Sequence, residues 1–177
     1  DGTAESALNL SVALRVRDLC AFLGVDTVMT RDTEKITYPS EAKTIAAMKK
    51  WDTRRRVEIA ESVDSPVFLS IHQNIYPSSG PRGSQVLYAQ NEPSRALAEL
   101  IQSRLTAALL PENRRVPVPA GKDIYIMSHV QCTAVLVECG FLSHPQELSL
   151  LQSADYQKKI ASVLTACYLQ FTEKGVL

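Results

Sequence analysis

Val135-Leu136-Val137-Glu138-Cys139-Gly140-Phe141-Leu142-Ser143 is the stretch on which the reading of this chain turns. A strand covered on both faces reads as a continuous Val/Leu run, and a charged residue belongs at its end. The pattern predicts such a strand, with Glu138 delivered at its end and Gly140 permitting a sharp turn straight after. Ligand crevices of open α/β sheets lie at the carboxyl ends of strands. Glu138 is therefore a candidate general base, against the plainer alternative of a carboxylate leaving a strand into solvent.

The same construction stands upstream. Val67-Phe68-Leu69-Ser70-Ile71 is a β-rich apolar run that ends at His72-Gln73-Asn74. A lone histidine after a strand needs no function, but two strands ending in His and Glu point to one shared metal or acid–base site. Glu5 is a candidate third member, at the start of a helical stripe of Leu8, Val12, Val16, Leu19 and Leu23. An acidic residue in a first turn also complements the helix dipole without further purpose.

Taken together, these segments resemble the zinc-dependent N-acetylmuramoyl-L-alanine amidases. The resemblance runs in order through Glu5-Ser6-Ala7-Leu8-Asn9-Leu10, Val28-Met29-Thr30-Arg31 and the stretch from Arg55 to Ala60. It continues through Ser70 to Asn74, the Gly83 to Tyr88 strand, and Leu136 to Ser143. Ser70-Ile71-His72-Gln73-Asn74, Leu109-Leu110-Pro111-Glu112-Asn113 and Ile124-Tyr125-Ile126 are most similar to the sporulation branch, which prepares spore-cortex peptidoglycan for germination.

The resemblance implies that Glu5 and His72 are metal ligands for Zn2+ and that Glu138 is the catalytic glutamate. It also implies a third ligand, a histidine in a His-Gly-Gly turn after a first strand. Neither that strand nor that turn is among residues 1–177, and His129 and His144 do not match the position. The expectation is an amidase catalytic domain over 1–177 that is incomplete at its N-terminus, with the third ligand upstream of Asp1. A sheet lacking its first strand should expose an unpaired edge or an apolar crevice. The implied location is extracytoplasmic, in the cell wall or the forespore intermembrane space, with the export segment expected upstream. Peptidoglycan is the implied partner, with an accessory protein in sporulation.

Composition fits one globular domain with a substantial core, and the alternating layout of strand and helix patterns reads as an α/β sandwich. Nineteen basic residues balance nineteen acidic ones, so nothing points to nucleic-acid binding. No apolar segment is long enough to span a bilayer. Cys20, Cys132, Cys139 and Cys167 show no Cys-x-x-Cys spacing and read as buried thiols. Cys139 should point to the sheet face opposite Glu138.

The alternation of patterns predicts helices at about 4–23, 41–50, 53–63, 96–109, 145–152 and 156–171. Strands are expected at 27–30, at the run ending in His72, at 84–89 and at the Glu138 run. Gly24 should close the first helix. The resemblance adds that the sheet is mixed and mainly parallel, with helices on both faces.

Two turn-rich loops, Tyr76 to Arg82 and Leu110 to Lys122 with Arg114-Arg115, could frame a long substrate. Asn74 and Arg55 are candidate substrate-binding residues, and Trp51 suits core packing better than sugar stacking. The implied reaction is hydrolysis of the amide between N-acetylmuramic acid and L-alanine. Two rivals are a non-catalytic peptidoglycan-binding module that has lost its metal, and a zinc carboxypeptidase acting on stem peptides.

Overall fold

The computed structural model describes residues 5–173. Helix α1 runs Glu5–Phe22 and ends in a Schellman turn. Gly24 takes φ 73°, Val25 N–H donates to the Cys20 carbonyl and Gly24 N–H to that of Ala21. The segment 27–30 forms no strand. Among the described residues no strand pairs with it, and Val28 is left 62% exposed.

The two helices expected between 41 and 63 are one, α2, Ile45–Glu61, capped by the Thr44 hydroxyl on Ala47 N–H. No Gly or Pro interrupts that span, and Thr53 satisfies its hydroxyl on the Lys49 carbonyl rather than breaking the helix. Strand β1 is Val67–Asn74 and β2 is Gln85–Tyr88. Helix α3, Glu92–Leu109, starts one turn early because Asn91 caps it on Ser94 N–H ahead of Pro93. A two-residue strand β3, Val118–Pro119, and a five-residue helix α4, Tyr125–His129, lie where only loop was expected. Strand β4 is Thr133–Phe141, followed by α5, Pro145–Gln152, and α6, Ala154–Glu173.

The sheet order is β1-β4-β2-β3. β1 and β4 run parallel, as do β2 and β3, whereas β2 and β4 are antiparallel. Side chains alternate cleanly about β4. Val135, Val137 and Cys139 enter a core with Leu8 and Val12 of α1, Leu97, Ile101 and Leu105 of α3, and Ile160 and Leu164 of α6. Ala134 and Leu136 enter a second core with Val57 and Ala60 of α2 and Ile126 of α4. Helices thus cover both faces. The four cysteines are free thiols. Cys139 is fully enclosed on the face away from Glu138, and burial pushes its thiol up to about 12. Among the described residues, no helix is long and apolar enough to cross a membrane.

β1 is an edge strand. A cleft of about 1190 Å³ runs along its open side, between Val67, Leu69, Ile71 and His72 and the unpaired 27–30 segment. An unpaired edge or an apolar crevice is what the sequence predicts, and the open side of β1 carries this cleft, lined by apolar side chains together with charged ones such as Arg31 and Arg56.

Candidate active site

Glu138 is not the last residue of its strand. β4 continues to Phe141, and the register shifts there, His72 facing Glu138 while Asn74 faces Phe141. The bulge ends the regular pairing just beyond Glu138. Gly140 serves by size. Its φ is not positive, but a Cβ would meet Glu147 Oε2 at 3.2 Å and Leu151 Cδ1 at 3.3 Å. Buried Glu147 accepts the N–H groups of Phe141 and Gly83, at 2.8 and 2.9 Å, and so ties the end of β4 to the loop before β2.

Register then sets a row across the sheet. His72 of β1 and Gln85 of β2 are both Cα partners of Glu138. Directly opposed residues share a face, so the three side chains stand side by side on the face of α2 and α4.

Glu5 joins the row from the start of α1. Its Oε1 lies 3.0 Å from His72 Nδ1 and accepts Asn9 Nδ2–H at 2.9 Å and the Gln73 backbone N–H at 3.2 Å. Gln73 Nε2–H in turn donates to Asn9 Oδ1 at 3.3 Å. Burial would raise the Glu5 pKa, but hydrogen bonds from His72, Asn9 and Gln73 outweigh it and hold the carboxyl at about 2. Glu138 lives differently. Burial, opposed by His72 and reinforced by the Glu5 charge, pushes it up to about 6. Its Oε2 is buried and meets no donor among the described residues.

A carboxylate and an imidazole are the donor types of a zinc-class cation. Two ligands of one tetrahedral zinc stand roughly 3.4 Å apart, from bond lengths of ~2.0–2.2 Å. The Glu5–His72 separation fits that requirement with slight adjustment. Among the described residues no third His, Cys, Asp or Glu joins them in a group able to hold a metal. His129 stacks on Tyr125 at 3.8 Å, and His144 caps α5.

Of the other residues singled out by sequence, Asn74 ends β1 at the bulge, its carbonyl accepting Leu142 N–H at 2.8 Å. Arg55 stands apart, on the exposed side of α2 beside Glu58. Its neighbour Arg56 lines the cleft with Arg31, which donates to the Ser6 carbonyl at the start of α1. Trp51 packs edge-on against Tyr38 at 5.7 Å. Sequence reading missed Asn9 and Gln73. The i,i+4 spacing of Glu5 and Asn9 on one helix face was the available signal.

The α/β sheet aligns His72 and Glu138 on neighbouring strands, with Glu5 brought over from a helix N-terminus, and so gathers an imidazole and two carboxylates in one place. Comparison with known proteins gives the family. Residues 1–167 match the N-acetylmuramoyl-L-alanine amidase family, and the chain belongs to it. It is 36% identical to the germination-specific N-acetylmuramoyl-L-alanine amidase of Bacillus subtilis over 97% of this chain and 72% of that protein. It is similar in structure to the CwlD amidase of Clostridioides difficile, solved in complex with the GerS lipoprotein, with a TM-score of 0.92 and 30% identity over 97% of this chain and 88% of the other. The Ami1 amidase of Mycobacterium smegmatis superposes with a TM-score of 0.81 and 26% identity over 98% of this chain and 79% of the other.

Proposed function

We propose that this chain is the catalytic domain of a zinc-dependent amidase that cleaves the bond between the lactyl group of N-acetylmuramic acid and L-alanine in peptidoglycan. The observation that carries the reading is the pairing of His72 with Glu138 across β1 and β4, with Glu5 against His72. In this reading Glu5 and His72 hold the zinc. A strand seated along the open edge of β1, upstream of residue 1, supplies the third ligand, a histidine. The cleft beside β1 supports that placement.

When bound, the zinc polarises the scissile carbonyl and makes attacking water more acidic. Glu138 takes the proton from that water and returns it to the leaving amine of L-alanine. Its position suits a base: burial raises its hold on a proton above that of an ordinary carboxyl. Oε2, with no donor to satisfy it, is the oxygen free to take that proton. Asn74, at the end of β1, is a substrate contact in this scheme, while Arg55, exposed on α2 beside Glu58, is the weaker candidate.

The germination-specific relative supports a role in germination, which with the sequence resemblance favours spore-cortex peptidoglycan outside the cytoplasm as the substrate. The C. difficile complex supports an accessory lipoprotein as partner. The test is metal analysis of the full-length protein followed by product identification on purified peptidoglycan. About one zinc per chain and new L-alanine amino termini are expected. Zinc with release of a C-terminal amino acid would instead identify a carboxypeptidase, and binding without cleavage a glycan-binding module.

A further inference from the structure

The row across the sheet does not end at Glu138. Gln85, on the same face one strand over, has its own partner: its Oε1 accepts Arg115 Nη1–H at 3.0 Å, and its Nε2–H donates to the Val116 carbonyl at 3.2 Å. Arg115 Nε–H donates to the Arg82 carbonyl at 3.1 Å, and the guanidinium lies 4.7 Å over the ring of Phe141. These contacts fix the head group on three sides. None of them is a carboxylate, and no acid among the described residues pairs with it. Arg82 beside it, by contrast, has Glu112.

A half-buried guanidinium that is positioned by neutral acceptors and an aromatic face keeps its charge and its Nη2 edge for something else. Arginine's planar fork matches a carboxylate. We propose that Arg115 is a specificity-determining residue that binds a carboxylate on the peptide side of the substrate, an assignment that rests on the amidase reading above. The choice of side follows from substrate chemistry. The lactyl carboxyl is consumed in the scissile amide and the N-acetylated sugars are neutral, so the anionic groups that remain belong to the peptide. The metal side of Glu138 is taken by His72 and Glu5, which leaves the Gln85 side for the departing peptide.

The experiment uses the full-length protein and two soluble muramyl peptides that differ only in whether that peptide carboxylate is free or amidated. Wild type should favour the free acid by roughly 10- to 100-fold in kcat/KM, the range for a hydrogen bond to a charged group. Arg115→Ala should lose that preference through KM with kcat nearly unchanged, and Arg115→Lys should keep part of it. Because Arg115→Ala could also loosen the Arg82 and Val116 segments, peptide binding is measured in parallel by calorimetry on Glu138→Gln protein with Arg115 intact. The free acid should bind more tightly there by a similar factor. Equal kcat/KM for the two peptides in wild type, or equal losses on both in Arg115→Ala, overturns the assignment while leaving the amidase reading intact. Release of neither peptide by zinc-loaded wild type overturns the amidase reading itself.

Discussion

Two carboxylates that flank the same imidazole, one in contact with it and one opposite it across the strands, are treated in opposite ways by this fold. Glu5, at the start of α1, gathers donors from His72, Asn9 and the Gln73 backbone and is held at about 2. Glu138, within β4, is more deeply enclosed, has one oxygen with no donor, and is pushed up to about 6. Environments that push two carboxyl groups apart assign them different work. A permanently ionised, rigidly hydrogen-bonded carboxylate suits metal binding, and a proton-hungry one suits base catalysis. The helix provides the first environment and the apolar strand the second.

That contrast breaks most visibly by exchanging the roles. Glu138→Gln should keep zinc and lose roughly 10²–10⁴-fold in turnover, the usual contribution of a general acid–base group. His72→Ala should lose zinc and activity together. Metal content and peptide release are measured on the same samples, and near-normal release by Glu138→Gln would make that carboxylate structural.

A smaller effect sharpens the Glu5 side. Asn9→Ala removes one donor and frees the Gln73 amide, so zinc affinity should fall roughly 10- to 100-fold, as for other supporting contacts to a metal ligand. Competition with a chromogenic chelator reads this directly. Unchanged affinity with a lower melting temperature would make Asn9 a packing residue only.

The smallest effect is on stability, and it runs in opposite directions for the two acids. Glu138 binds its proton more tightly in the fold than the ordinary 4.5, so its ionisation costs stability as pH rises from 4.5 through about 6. Metal-free Glu138→Gln should therefore be more stable than wild type by up to about 2 kcal/mol above that window and equal to it below. Glu5 contributes the reverse. Its lowered value gives stability above 4.5 that is lost as pH falls towards 2. Thermal melts in chelator across this pH range separate the two.

The sequence carried much of this. The Val/Leu run around Glu138 and the run before His72 both form strands, and their adjacency follows from the shared site they predict. Periodicity located α1, α3, α5 and α6 within a few residues. It failed where tertiary context decides. Segment 27–30 has strand-like residues but, among the described residues, no strand to pair with, while α2 is continuous because nothing in Trp51-Asp52-Thr53 breaks a helix. β3 and α4 are too short to show a period. The position of Glu138 three residues before its strand's end depends on a bulge, and the Gln85–Arg115 contact depends on register. Neither can be read from local composition.

The strand order has a consequence for the newly made chain. β1 and β2 do not pair with each other, and each is hydrogen-bonded to β4 in the centre of the sheet. The earlier strands must therefore wait, unpaired with each other, for residues 133–141, the piece that joins them. Such long-range pairing is slow to form compared with local helix contacts. Until it forms, His72 has no Glu138 beside it. A chain interrupted before residue 141 therefore cannot bring His72 and Glu138 together, however much of its helical structure has formed.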